Sequence, residues 1–318
     1  MGSLEKHYTR FRAYQLGAEG SSFSFYDGSF FTLIEARLND VNKPRIISEL
    51  EKCGVSIINC LHITSWDSDH CGKSDLEEIL SIFAPAKIEY PGYDPHTDTA
   101  KECLKIITNY KKKNSEKKVV KVDPPYIKSL KDAHAWGYRN ILFHPKFISE
   151  NSNDNSTVKL FRSGSFNVAS LGDVDSAAIS ASLRSYKSFY SEVDIMILAH
   201  HGADNGFTTS SFLKKVRPTV AVCSSNYDNK FEHPKKEIRE LLYKYRVPIY
   251  TTKTGDVVIV SQPPHTKNFK VFNLISGSKQ LSSEAIYTTK KSKKLDHNLD
   301  TVRNIYRGNK RPFKGFKK

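Results

Sequence analysis

Asp67, Asp69 and His70 fall within one short loop, Ser65-Trp66-Asp67-Ser68-Asp69-His70. Two carboxylates and an imidazole crowded together compete for the same space unless something is bound between them. A divalent cation satisfies all three, because carboxylate oxygens and neutral imidazole nitrogens are ligands for Zn²⁺, Mn²⁺ and Fe²⁺. A polar turn rich in helix-cap residues would have the same composition, so the loop gains weight from residues further along the chain. Asp173 comes after Gly172, His200 and His201 precede Gly202, and His233 precedes Pro234. The chain thus offers His and Asp again at three later points.

Each of these points comes after an apolar run. Residues 55–63 are apolar except for Ser56, Asn59 and His62, which predicts a mostly buried strand before the Asp/His loop. Similar runs at 166–171, 193–199 and 219–224 precede Asp173, the His pair and the polar loop that reaches His233. Ligands in α/β folds bind in the crevice at the carboxyl ends of strands, so this placement groups the residues by chemistry and by position. Ser74 with Glu77 has the form of a capping box and predicts a helix start just after the loop, ended by Pro85. Thr97 or Asp98 predicts another helix cap, with Cys103, Leu104, Ile107 and Tyr110 on one face. Asp27-Gly28 is a hairpin signal between 23–26 and 30–34. Strand-rich segments alternate with helices twice. That predicts an α/β sandwich of two mixed sheets with outer helices, spanning 1–265.

Composition sets the limits. The 318 residues can bury a large core. No apolar run is long enough for a membrane span. The start of the chain has no apolar secretory core, and the five cysteines show no paired spacing. A reducing, cytoplasmic setting is the expectation. The net charge is +15, and residues 266–318 hold fourteen Lys and Arg against three Asp and Glu. This basic extension is expected to be disordered over 303–318 and to favour a polyanion such as nucleic acid. Residues 271–275 are apolar enough to add an edge strand, so a cut at Lys290 is expected to spare the fold.

The motifs together resemble the metallo-β-lactamase fold, in the branch represented by the soluble hydrolase domain of the competence DNA-uptake protein ComEC. That branch carries a strand followed by Ser-His-x-Asp-x-Asp-His, and this chain has Thr64-Ser65-Trp66-Asp67-Ser68-Asp69-His70. His144-Pro145, Asn153-Asp154-Asn155-Ser156, Gly172-Asp173, His200-His201-Gly202, His233-Pro234 and the Thr251 to Gly255 pattern come in the branch's order. The resemblance covers about 11–261 and not the basic extension. Two positions depart from it: Ser65 stands where the branch has its first His, and Glu35 where it has an early Asp.

The resemblance implies an αββα sandwich holding one or two divalent metals. Asp67, Asp69, His70, Asp173 and His200 or His201 are the implied ligands, with Asp173 between the two positions. Without the first His, the Asp67 side becomes oxygen-rich and suits Mn²⁺ or Mg²⁺ better than Zn²⁺. A metal-activated water then attacks phosphorus, with Asp69 and His233 as the catalytic candidates. His233 would contact phosphate or protonate the leaving oxygen, while His62 would be structural. Trp66 either stacks on a base or packs the loop. The expected activity is a phosphodiesterase or nuclease acting on DNA or RNA. The alternatives are a hydrolase of a small diester such as a cyclic nucleotide, and a nucleic-acid-binding protein with a degenerate metal site. The sequence leaves the oligomeric state open.

Overall fold

Phe11, Ala13, Phe23, Phe25, Phe161, Phe166 and Phe269 form the centre of an apolar layer enclosed between two sheets. The computed structural model describes residues 8–131, 140–278 and 280–297. In chain order the first half runs β1 (Arg10–Ala13), β2 (Phe23–Tyr26), β3 (Phe31–Ile34), α1 (Lys43–Lys52), β4 (Cys60–His62), α2 (Lys73–Phe83), β5 (Lys87–Pro91), α3 (Asp98–Lys113), β6 (Lys118–Val122) and α4 (Pro124–Lys131). The second half runs β7 (Ile141–His144), β8 (Val158–Phe161), β9 (Val168–Ser170), α5 (Ala177–Ser185), α6 (Lys187–Tyr190), β10 (Ile195–Ile197), α7 (Ser210–Val216), β11 (Val220–Cys223), α8 (Lys236–Lys244), β12 (Ile249–Thr251), β13 (Val257–Ser261), β14 (Asn268–Leu274), β15 (Leu281–Thr288) and α9 (Lys290–His297).

The first sheet has the order β15-β14-β13-β1-β2-β3-β4-β5-β6, and the second β12-β11-β10-β9-β8-β7. Strands pair in parallel from β3 to β6 and from β9 to β12, and antiparallel elsewhere. Helices α1, α2 and α3 cover the outer face of the first sheet through Ile46, Leu76, Ile79 and Cys103. Helices α5, α7 and α8 cover the second through Ile179, Phe212 and Leu242. This is the expected αββα sandwich: each apolar sheet face is buried, one against the other sheet and one under helices.

Strand periodicity also buries charge. Phe11 and Ala13 face the other sheet, so Arg10 and Arg12 face α1. There Arg10 donates to both Glu49 oxygens at 2.5 and 3.0 Å, and Arg12 donates to Glu49 and to Asp256. Burial alone would raise Glu49, but the Arg10 and Arg12 guanidiniums outweigh it and hold the carboxyl below its usual range.

Several expectations are corrected. Gly72, in an extended conformation, is the residue before α2, and no side chain caps it. Ser74 therefore lies inside the first turn, where its hydroxyl donates to Asp75 Oδ1, and the Ser74–Glu77 capping box does not form. Thr97 does cap α3, accepting from Ala100 N at 3.2 Å. The chain does not leave the sandwich at residue 265. β14 pairs with β13 and β15 with β14, extending the first sheet beyond the expected single edge strand. α9 then docks on the second sheet: Lys290 N donates to Asp194 Oδ1 at 2.7 Å, and Lys291 Nζ donates to the carbonyls of Arg162 and Gly164. A cut at Lys290 would remove these bonds. The disorder expected for 303–318 lies outside the described residues. No helix among the described residues is long and apolar enough to cross a membrane.

Candidate metal centre

The parallel strands deliver the site. Asp69 and His70 come after β4, Asp173 after β9, His201 after β10, and Ser224 after β11. The loop after β4 is tied on both flanks. His70 N and Cys71 N donate to Asp67 O, Ser21 N donates to Asp69 O, and Ala36 N donates to His70 O. The strand ends of the two sheets meet where Thr157 N donates to Thr64 O. Gly172 makes that approach possible: its φ is +55°, and a Cβ there would lie 2.9 Å from Ser156 Cβ and 3.0 Å from Thr64 Oγ1.

One ligand-type atom from each of Asp69, His70, Asp173 and His201 lies within 4.8 Å of the others. His70 Nε2 is 2.8 Å from Asp173 Oδ1, and both atoms are buried without a hydrogen-bond partner. His201 Nε2 is 3.0 Å from Asp69 Oδ2. The two imidazole rings lie 5.5 Å apart.

The far side of each ring is also fixed. His70 Nδ1 lies 3.2 Å from Glu35 Oε1 and 3.4 Å from Thr64 Oγ1. Glu35 in turn accepts from Thr64 N at 2.9 Å and from Thr64 Oγ1 at 2.6 Å. A carboxylate behind a ligand imidazole sets its tautomer and raises its basicity. His201 Nδ1 donates to the carbonyl of Ser224 at 2.9 Å, since that oxygen can only accept. Nε2 of both rings is therefore the nitrogen turned to the cluster.

Electrostatics agree with this arrangement. Burial alone would lower His70, but Asp173, Glu35 and Asp69 raise it well above the usual imidazole range. Burial would raise Asp69 and Asp173, but His70 and His201 hold both below the usual carboxylate range. The cluster balances its charge with protons, which a cation replaces when it binds. Two imidazoles, two carboxylates and a buried His70–Asp173 pair too poorly aligned for a hydrogen bond fit one divalent cation.

The remaining expected residues fall outside the group. Asp67 is not in the group: its Oδ2 accepts from Ser65 Oγ at 2.8 Å, and Ser65 Oγ lies 3.1 Å from Tyr93 OH. Ser65 thus holds one of the two Asp67 oxygens. His200 and His201 both have positive φ, 45° and 52°, and this twist sends adjacent rings in different directions. His200 points to Asp175, with Nδ1 3.8 Å from its Oδ2, and takes no part in the cluster. His233 does not join the ligand atoms but stacks on the His201 ring at 6.2 Å and 9°. Burial, then the His201 and His200 charges, push His233 down to about 4. Trp66 is buried and its Nε1 donates to the Tyr93 carbonyl at 3.0 Å, so it packs the loop. His144 is also a brace, with Nε2 2.6 Å from the Asp154 carbonyl. His62 is fully buried, 2.8 Å from Glu89 Oε2, in the structural role expected of it.

The chain is 19% identical over 231 residues to ComE operon protein 3 of Bacillus subtilis (strain 168), a match covering 71% of this chain and 27% of that protein. It thus spans about a quarter of that relative's length. Igni18, described as a metallo hydrolase from Ignicoccus hospitalis, superposes with a TM-score of 0.44 at 14% identity, over 79% of this chain and 98% of Igni18. The metallo-β-lactamase-fold protein YhfI of Bacillus subtilis gives 0.45 at 13% identity, with the same coverage of 79% and 98%. No family model matches the chain. The chain is similar to metallo-β-lactamase-fold proteins.

The sequence marks Glu35 only as a departure from a motif, and it assigns no role to Thr64 or the Ser224 carbonyl. A carboxylate just past a mostly apolar strand, β3, is the available signal for Glu35. The Ser224 carbonyl had none, because any residue supplies one.

Proposed function

We propose that this chain is a metal-dependent hydrolase, and more narrowly a phosphodiesterase whose metal is held by Asp69, His70, Asp173 and His201. The observation that carries the reading is the convergence of their four ligand atoms, with His70 Nε2 and Asp173 Oδ1 buried and unsatisfied. The mixed nitrogen and oxygen donors suit Zn²⁺ or Mn²⁺. One cation per chain is the proposed stoichiometry, because Asp67 and Ser65 are engaged with each other.

A bound cation supplies Lewis acidity, which makes a nucleophilic water available near neutral pH and neutralises phosphoryl oxygens. The protein's own residues do the rest. Glu35 and the Ser224 carbonyl hold the two imidazoles so that Nε2 of each faces the site. Asp69 carries charge at the cluster's open edge, where its side chain is about one-third exposed. It is positioned to orient a water for attack on phosphorus. His233 stands beside His201 on the rim of the same cavity. It is the group to contact a phosphoryl oxygen or the leaving oxygen. The net charge of +15 favours an anionic substrate, and DNA or RNA is the proposed class. The intact four-residue cluster speaks against a degenerate site.

The test is direct. Protein purified without chelator is analysed for metals, stripped with EDTA, and reloaded with Mn²⁺ or Zn²⁺. It is then assayed on bis(p-nitrophenyl) phosphate and on single-stranded DNA and RNA. Metal-dependent release of product supports the reading. A reloaded protein that cleaves no phosphodiester overturns it.

A further inference from the structure

The loop after β11 leads from the cluster to the surface, and it carries two aromatic side chains in water. Phe231 is 52% exposed and Tyr227 is 69% exposed. Single exposed apolar residues are ordinary, but these sit at a particular place. Phe231 lines one cavity together with Asp69, His201, His233, Asn226 and Gly20. Its ring is stacked on His233 at 5.6 Å and 23°, and His233 is stacked on His201 at 6.2 Å and 9°. The three rings form a ladder, with Asp69 at the inner end and the half-exposed Phe231 ring at the outer end.

The loop is built to hold that ladder. Asn229 Oδ1 accepts from His233 N, and its Nδ2 donates to the carbonyls of Asn226 and His233 at 2.8 and 3.1 Å. Lys230 Nζ lies over the Phe231 ring, 4.8 Å from its centroid, and 3.4 Å from Glu19 Oε1; its side chain is exposed, so a stacking base would displace it and leave a cation at the rim. Asn226 Oδ1 accepts from Tyr227 N, while its amide nitrogen has no partner among the described residues. An exposed aromatic face, a nearby cation and an unused amide donor are the parts that receive an unpaired base.

We propose that Phe231 is a base-stacking residue that makes the site selective for nucleoside-bearing phosphodiesters with an unpaired base. This rests on the phosphodiesterase reading: a phosphate at the cluster places the base of its own nucleoside outward, along the ladder. Stacking tolerates any base, so selectivity is for nucleotide over simple alkyl diester rather than for one sequence. A base paired in a duplex has both faces covered and cannot use the ring.

Two esters with the same leaving group test the idea, thymidine 5′-(p-nitrophenyl phosphate) and methyl p-nitrophenyl phosphate. The metal-loaded wild type should prefer the thymidine ester in kcat/KM. Phe231→Ala should shrink that preference about five- to 100-fold, through KM, and Phe231→Trp should retain it. Where the esters are cleaved, a preference unchanged in Phe231→Ala, or no preference in the wild type, overturns the proposal. A second arm does not need turnover. Calorimetric titration of the EDTA-treated protein with the dinucleotide TpT and with an eight-nucleotide oligothymidylate should show weaker binding of both to Phe231→Ala. Equal binding by wild type and variant overturns the proposal even if no ester is cleaved. Cleavage of neither ester, with weaker TpT binding by the variant, would instead sink the hydrolase reading and support the platform. Tighter binding of the longer oligomer identifies a strand as the partner, and equal binding identifies a dinucleotide-sized one. Because Phe231 is half exposed, its replacement leaves the core intact.

Discussion

His70 Nε2 and Asp173 Oδ1 lie 2.8 Å apart, and neither makes a hydrogen bond. Both atoms are buried, and their contact is an ion pair that is poorly aligned for a hydrogen bond. A cation bound between them would replace the proton that holds this pair together. Asp173→Asn keeps the volume and removes the charge. The variant should fold with wild-type circular dichroism, lose most of its metal by elemental analysis, and lose phosphodiester turnover. Full metal content in Asp173→Asn would place the metal elsewhere.

Glu35 acts through His70. Replacing it by Gln keeps an oxygen for Thr64 and removes the carboxylate behind Nδ1. Metal affinity should fall about 10- to 100-fold, as it does when a partner behind a ligand is weakened. Competition with a chromogenic chelator measures this. Affinity equal to wild type would show that Thr64 alone positions the ring.

Glu49 makes the fold sensitive to acid. Its carboxyl is held below its usual range by Arg10 and Arg12, against the opposing effect of burial. A depressed carboxyl contributes stability that is fully present above its unfolded value, about 4.3, and is lost as pH falls through the folded value. Urea midpoints should therefore decline below about pH 4.5 in the wild type, and less steeply in Glu49→Gln. At neutral pH the same variant should lose about 3–5 kcal/mol, because two buried guanidiniums lose a partner. Parallel acid profiles for the two proteins would assign the acid sensitivity to other groups.

Two truncations separate the fold from the basic extension. Ending the chain at His297 removes seven Lys and Arg and none of the α9 contacts. It should leave thermal stability unchanged while reducing the salt dependence of oligonucleotide binding, by a slope of about 0.7 for each phosphate no longer neutralised. Ending it at Thr289 removes the Lys290 and Lys291 bonds as well and should lower the melting temperature. An unchanged salt slope in the shorter cut-back would make the extension a bystander to binding.

The chemistry of the site was legible because it is carried by residue types at the ends of apolar runs. Asp69, His70 and Asp173 each come after such a run, and the fold brings them together. The choice between neighbours was not legible. Asp67 and Asp69 differ in setting: Ser65 Oγ donates to Asp67, while Asp69 Oδ2 lies 3.0 Å from His201 Nε2. His200 and His201 diverge because both take positive φ, which no pattern of residue types announces. The late strands were partly hidden for a different reason. β14 alternates inward and outward, but its inward positions include Asn273 and its outward ones Phe272. β15 is largely exposed along its length, so it has no apolar period to read. Glu35 was visible as an oddity, and only its distance to His70 gives it a role.

β1 lies between β2 and β13, with Arg10 opposite Tyr26 on one side and Val260 on the other. The first strand of the sheet therefore waits for one made some 250 residues later. During synthesis, Phe11 and Ala13 have no completed layer to enter until β13 has cleared the ribosome tunnel. Such distant pairing slows folding and prolongs the exposure of open strand edges. Asp69 and His70 are translated well before Asp173 and His201, so the four-residue cluster can assemble only late in synthesis. A nascent chain stalled before residue 261 should stay protease-sensitive even when its first half is intact.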